Sequence, residues 1–124
     1  MSAEVDMAAL EEKLRSAIIW ATEQGFKVKP GLWGAVYDTK EKKFVPSLHA
    51  DGCCCVMGAV LLQHGPMEDD RRLLVWHVAS ILGVPPHVVE QVIVGFDSGR
   101  TVGGRAAAGA SPTWLGWKLK EELK

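Results

Sequence analysis

The spacing of apolar residues divides the chain into helical stretches and one short alternating stretch. Over residues 6–24, Leu10, Leu14, Ala17, Ile18 and Ala21 recur at intervals of three and four, while Glu11, Glu12, Lys13 and Arg15 fill the other side. This spacing predicts an amphipathic helix. Asp6 is placed to cap it and Gly25 to end it in a left-handed conformation. Ile19 and Trp20 widen the apolar face, so this helix is expected to touch more than one neighbour. Pro30-Gly31 then marks a turn, and the period changes. Ala35-Val36-Tyr37 and Lys43-Phe44-Val45 flank a charged turn, and Pro46 follows. That pattern predicts a hairpin over 34–46. Two strands alone are marginal in water, so the hairpin must lie against helices.

The stretch around which the rest is organised follows. From Cys53 to Leu62 the chain carries ten residues with no charge and no side-chain amide. It reads as a helix over 53–64, with Asp51 or Gly52 as cap and Gly65-Pro66 as stop. Its apolar residues point in every direction, as in a helix buried all round. It is too short to cross a bilayer, which takes ~20 apolar residues.

Residues 68–84 predict a further helix. Glu68, Asp69 and Asp70 stand in its first turn, Leu74, Val78, Ile81 and Leu82 form the inner stripe, and Gly83 ends it. Pro85-Pro86 opens the next helix, with Val88, Val89, Val92, Ile93 and Phe96 on one side. The β-branched content of 86–96 leaves a strand as the alternative. Residues 97–110 are rich in Gly, Ala and Ser and read as a loop. Ser111-Pro112 is a cap followed by a first-turn proline, opening a last helix. Its inward residues are read as Trp114, Leu115, Leu119 and Leu123, with Lys118, Lys120 and Glu121 outside. The expected fold is therefore α+β, mainly α. About five helices surround a central buried helix (53–64), with one small β-hairpin (34–46). The whole of 1–124 forms a single domain, with the 97–110 loop inside it.

Composition adds little to this picture. Hydrophobic residues make up 48% of the chain, enough for a real core. The formal net charge is -1, so no global field draws the chain to nucleic acid or to an anionic membrane. The acidic N-terminus has no apolar signal core, and the three cysteines are consecutive rather than spaced as a disulfide framework. Both features lead us to expect a reducing, cytoplasmic location.

Four features carry candidate chemistry. Cys53, Cys54 and Cys55 could form a thiol or soft-metal site: His49 lies four residues before Cys53 and Met57 four after it, so His49, Cys53 and Met57 would share one face of a helix that extended back to His49. Successive helical residues diverge by about 100°, so three such thiols cannot converge on one ion. Core packing is therefore the preferred reading, and no metal or cofactor is expected.

Residues 77–96 place Ala79 in one helix, Gly83 at a turn, and Val78, Leu82, Val84, Val89 and Val92 at apolar positions. This stretch resembles the helix-turn-helix pattern. The resemblance implies a second helix that enters the DNA major groove. Its outward residues are read as His87, Glu90 and Gln91, which bring no cation to phosphate.

The Gly-rich segment holds Asp97, Ser98, Arg100, Thr101 and Arg105 among glycines from Gly95 to Gly109. Such a loop can turn backbone N–H groups toward an anion, and two arginines could close on it. It matches neither a Walker A loop nor a dinucleotide fingerprint. These five residues are the candidate ligand site.

Of the five tryptophans, Trp114 and Trp117 stand three apart on the last helix, making a candidate self-association surface or homodimer interface. No catalytic set assembles from the scattered histidines, serines and acids. The sequence thus leads us to expect a small, non-enzymatic binding or protein-interaction module. Its expected partners are a second copy, another protein or a small anionic ligand, not a membrane. The rival readings are a helix-turn-helix nucleic-acid binder and a thiol or metal protein.

Overall fold

The computed structural model describes residues 6–67, 73–98 and 111–123. In chain order the elements are α1 (Met7–Glu23), β1 (Lys27–Val28), β2 (Ala35–Asp38), β3 (Lys43–Pro46), a 3-10 turn (Leu48–Ala50) and β4 (Cys53–Cys54). Then come α2 (Val56–His64), α3 (Leu74–Leu82), α4 (Pro86–Ser98) and α5 (Pro112–Glu122). The fold is α+β, mainly α, with two two-stranded pairs: β2 with β3, antiparallel, and β1 with β4, parallel.

α1 forms where the spacing predicted. Asp6 Oδ1 accepts from Ala9 N, satisfying a first-turn donor, and Gly25 just beyond the end has φ +92°. Leu10, Leu14, Ala17 and Ala21 are buried, one residue per turn. α5 begins as its Ser-Pro signature requires, with the Ser111 hydroxyl accepting from Thr113 N and Trp114 N. Leu115 and Leu119 are buried as expected. Leu123, read as inward, caps the helix and is 39% exposed, because α5 ends at Glu122 before it completes another turn against the core.

The hairpin pairs Val36 with Val45 and Tyr37 with Phe44. Its buried anchor is Phe44, whose ring meets Tyr37 at 5.4 Å and the ring of His77 in α3 at 5.4 Å, both edge-on. The hairpin therefore lies on helices, as two lone strands must.

The central segment departs from its expected form at one end. Val56, Met57, Ala59, Val60 and Leu61 are all buried, so α2 is covered on every side until its last turn, where Gln63 and His64 are exposed. The helix begins at Val56, however, not at Cys53. Asp51 and Gly52 both take positive φ and form a turn, so neither caps α2. Beyond them, Cys53 and Cys54 pair in register with Lys27 and Val28. Lys27 N donates to Gly52 O and Lys29 N to Cys54 O, each at 2.8 Å. These bonds draw the cysteines into a strand. Cys55 is the cap, its Sγ accepting from Gly58 N at 3.3 Å.

α3 begins at Leu74 after an extended Leu73, where the sequence expects a start at Glu68, Asp69 and Asp70. Residues 68–72 lie outside the described residues. Gly83 ends α3 with φ +71°, and Lys13 Nζ donates to the terminal Leu82 carbonyl at 3.1 Å. Residues 86–98 are helix rather than strand, with Val88, Val89, Val92 and Phe96 buried. α4 also takes in Gly95, Asp97 and Ser98, which the sequence assigns to the Gly-rich loop. α4 and α5 are in backbone contact. A Cβ on Gly95 would collide with the Thr113 carbonyl, and one on Gly116 with the Val92 carbonyl.

No single helix among the described residues is long and apolar enough to cross a membrane.

Candidate functional site

The three thiols are free and buried, at 8%, 0% and 3% exposure in chain order. Burial pushes the Cys54 thiol up to about 11, with Cys53 adding to the shift. Burial likewise pushes Cys55 up to about 11, against the opposing bonds from Gly58 and Met57 amides. A thiol held protonated is a weak nucleophile and a poor metal ligand. The strand geometry also removes the shared helical face proposed for His49, Cys53 and Met57. His49 sits in the 3-10 turn, and Met57 is one turn into α2. Among the described residues no three His, Cys, Asp or Glu side chains gather as a metal site.

The candidate ligand loop divides. Asp97 lies at the end of α4, where its Oδ1 accepts from Gly31 N at 3.2 Å and so pins the Pro30-Gly31 turn. Ser98 is the last residue of α4. Arg100, Thr101 and Arg105 lie outside the described residues.

Trp114 and Trp117 are both half-buried on α5. Lys118 Nζ stands 4.9 Å from the Trp114 ring centroid and also bonds Glu11 across to α1. The tryptophan most open to solvent is instead Trp76, 54% exposed and three residues from Leu73, which is 72% exposed. Its position was readable in principle. Leu74, Val78 and Ile81 define the inward side of α3, and Leu73 and Trp76 fall off that stripe.

α3 and α4 are bent by 106° at their junction, and three residues join them. That is the shape the helix-turn-helix pattern anticipates. The exposed residues of α4 are His87, Glu90, Gln91, Val94 and Asp97, and the helix contains no lysine or arginine.

The surface that sequence reasoning left unassigned is the outer side of α1. A groove of about 690 Å³ runs along it, lined by Glu11, Glu12, Arg15, Ser16, Ile19, Trp20, Glu23, Ala8 and, from α2, Gln63. A second depression of about 500 Å³ adjoins it at Glu12, Ser16 and Gln63 and reaches Ile81 and Leu82. A third, of about 380 Å³, adjoins it at Trp20 and is walled by Phe26, Phe44, Val45 and Leu62. Trp20 therefore stands at the junction of two depressions, with its ring 6.3 Å from that of Phe26. Ile19 is 59% exposed in the middle of the groove. The widened apolar face of α1 does reach several neighbours, α2, β1 and α5, but none of them covers Ile19.

One edge of this groove carries an ion-pair cluster. Arg15 bonds Glu11 in its own helix and Glu122 in α5. The Arg15 hydrogen bond, assisted by Lys118, holds the Glu11 carboxyl below its usual range, and Arg15 does the same for Glu122. The same two carboxylates raise the Arg15 guanidinium further above its usual value, Glu122 contributing most. No family model, curated protein or solved structure matches the chain.

Proposed function

We propose that the protein is a small, non-enzymatic interaction module whose recognition surface is the outer groove of α1. The observation that carries this reading is Ile19. It is a large aliphatic side chain more than half exposed, set beside Trp20 in a groove of about 690 Å³. Apolar anchors flanked by polar rims are the usual centres of protein recognition. The burial of all three thiols, and the raised pKa values of Cys54 and Cys55, favour binding over thiol chemistry. The test is selection of peptides from a random display library on the whole chain and on its Ile19→Lys variant. Convergent sequences enriched by the parent and lost on the variant are expected. Equal enrichment on both, or none on either, overturns the reading.

The 106° junction of α3 and α4 favours a second reading, duplex DNA binding through α4. It predicts affinity that falls steeply with salt. Glu90 and Asp97 on the exposed side of α4 weigh against it, since phosphate would be brought toward carboxylates. Absence of a salt-sensitive shift of a DNA duplex in titration would remove it.

A further inference from the structure

We infer that the occupant of the α1 groove is a basic amphipathic helical segment of another protein, an inference that rests on reading that groove as the recognition surface. Three features of the groove select this partner.

The first is its apolar centre. Ile19 and Trp20 offer a contact that only an apolar side chain fills without stranding a polar group.

The second is charge. Glu11, Glu12 and Glu23 line the groove against one cation, Arg15. Arg15 already bonds Glu11 and Glu122, so it has little left to offer an incoming carboxylate. An arriving segment is favoured if it brings lysine or arginine to Glu12 and Glu23. The same balance disfavours a second copy of this chain. Symmetric pairing through this face would set Glu12 and Glu23 against a second Glu12 and Glu23, with each Arg15 already held by Glu11 and Glu122.

The third is spacing. Ala8, Glu12, Ile19 and Glu23 follow one side of α1, so the groove runs along the axis of that helix. Glu12 and Glu23 are eleven residues apart, about 16 Å along the axis. A partner helix laid along α1 meets this pattern with cations eleven residues apart and a large apolar residue between them.

The experiment uses the full chain and three synthetic helical peptides of about 18 residues. One carries lysines eleven apart around a central leucine pair. The second has glutamates for those lysines, and the third has serines for the leucines. Binding is read from the Ile19 methyl and Trp20 indole resonances, and self-association from sedimentation. The lysine–leucine peptide is expected to shift both resonances saturably. It should bind roughly fivefold more weakly to the Glu12→Gln/Glu23→Gln variant, and not measurably to Ile19→Lys. Both variants change exposed positions, and their spectra report directly whether they are folded.

If the glutamate peptide binds as well, or the double variant binds unchanged, the basic partner is wrong while the groove stands. If no peptide moves Ile19 or Trp20 but the chain self-associates and Ile19→Lys abolishes it, the occupant is a second copy and the inference is overturned. If neither peptides nor a second copy engage these residues, both the inference and the groove reading fail.

Discussion

Gly95 of α4 rests on the backbone of α5 between Thr113 and Trp117, and Gly116 of α5 rests on the backbone of α4 between Val92 and Phe96. The two glycines let the helices approach until main chain meets main chain. An added methyl on Gly95 would come within 2.9 Å of Trp117 N, and one on Gly116 within 2.9 Å of Phe96 N. Backbone atoms cannot swing aside as a long side chain can. Gly95→Ala and Gly116→Ala are each expected to lower the unfolding free energy by about 1–3 kcal/mol through overpacking. This loss should appear despite a helix-propensity gain of ~1 kcal/mol from replacing glycine. Ser80→Ala, on the exposed side of α3, isolates propensity and should be neutral or slightly stabilising. Urea titration of the three variants makes the comparison.

Leu14 and Ile19 lie on the same helix at opposite extremes of burial, 0% and 59% exposed. Leu14→Ala should cost about 2–5 kcal/mol, through lost burial and the cavity left behind. Ile19→Ala should change stability by no more than about 0.5 kcal/mol. A cost at Ile19 as large as at Leu14 would mean that Ile19 serves this chain's own core and not a partner.

The thiols give a signature at alkaline pH. Cys54 and Cys55 titrate near 11 in the folded chain, against 9.0 for an ordinary thiol. Between those values the unfolded chain releases protons that the folded chain keeps. Stability should therefore be insensitive to these groups below about pH 9 and fall as pH rises from about 9 to about 11. At pH 8, a thiol reagent should leave Cys54 and Cys55 unmodified in the native state and modify all three cysteines in denaturant. Rapid native modification of Cys54 would contradict its burial.

Cys55 caps α2 through its sulfur. Cys55→Ala removes the acceptor for Gly58 N and should cost about 1 kcal/mol or somewhat more. Cys55→Ser keeps an acceptor at the same place and should be the more stable of the two. If serine proves no better than alanine, the cap is not what holds this end of α2. Chemical denaturation of the pair settles the order.

The Glu11–Arg15–Glu122 cluster ties α1 to α5 at the surface. Both carboxyls titrate below their usual 4.5 in the folded chain, so their contribution is present above that value and is lost as pH falls through the lowered values. Arg15→Ala should cost only about 0.5–1 kcal/mol, as partly exposed ion pairs do. It should also flatten the acid limb of the stability profile and reduce its dependence on salt.

Much of this architecture was legible along the chain because its signals are local. Asp6 and Gly25 bracket α1, Ser111-Pro112 opens α5, and Gly83 ends α3, each through a bond or a backbone angle within a few residues. The hairpin also followed from alternation and turn residues, with pairs running from Ala35 with Pro46 to Asp38 with Lys43. The candidate sites were less legible. Asp97 carried the look of a loop ligand, but its partner is Gly31, 66 residues away in sequence. Trp114 and Trp117 stood out by residue type, yet Trp76 is the tryptophan most exposed.

The residues themselves dictate that 53–62 is buried, since no charge or amide side chain there would tolerate or seek water. They do not dictate that its first residues are strand. Cys53 and Cys54 left the helix only because Lys27 and Val28, far away in the chain, offered backbone partners. The exposure of Ile19 was likewise undecidable from α1 alone. An apolar face wider than one neighbour can be filled by another element of the same chain or left open, and only the placement of α2 and α5 shows that the Ile19 edge remains uncovered. Periodicity, caps and turn chemistry act over one or two turns of chain and are written in the residues. Strand pairing, helix crossings and uncovered faces depend on which distant segments meet, and that is settled only when the whole chain is packed.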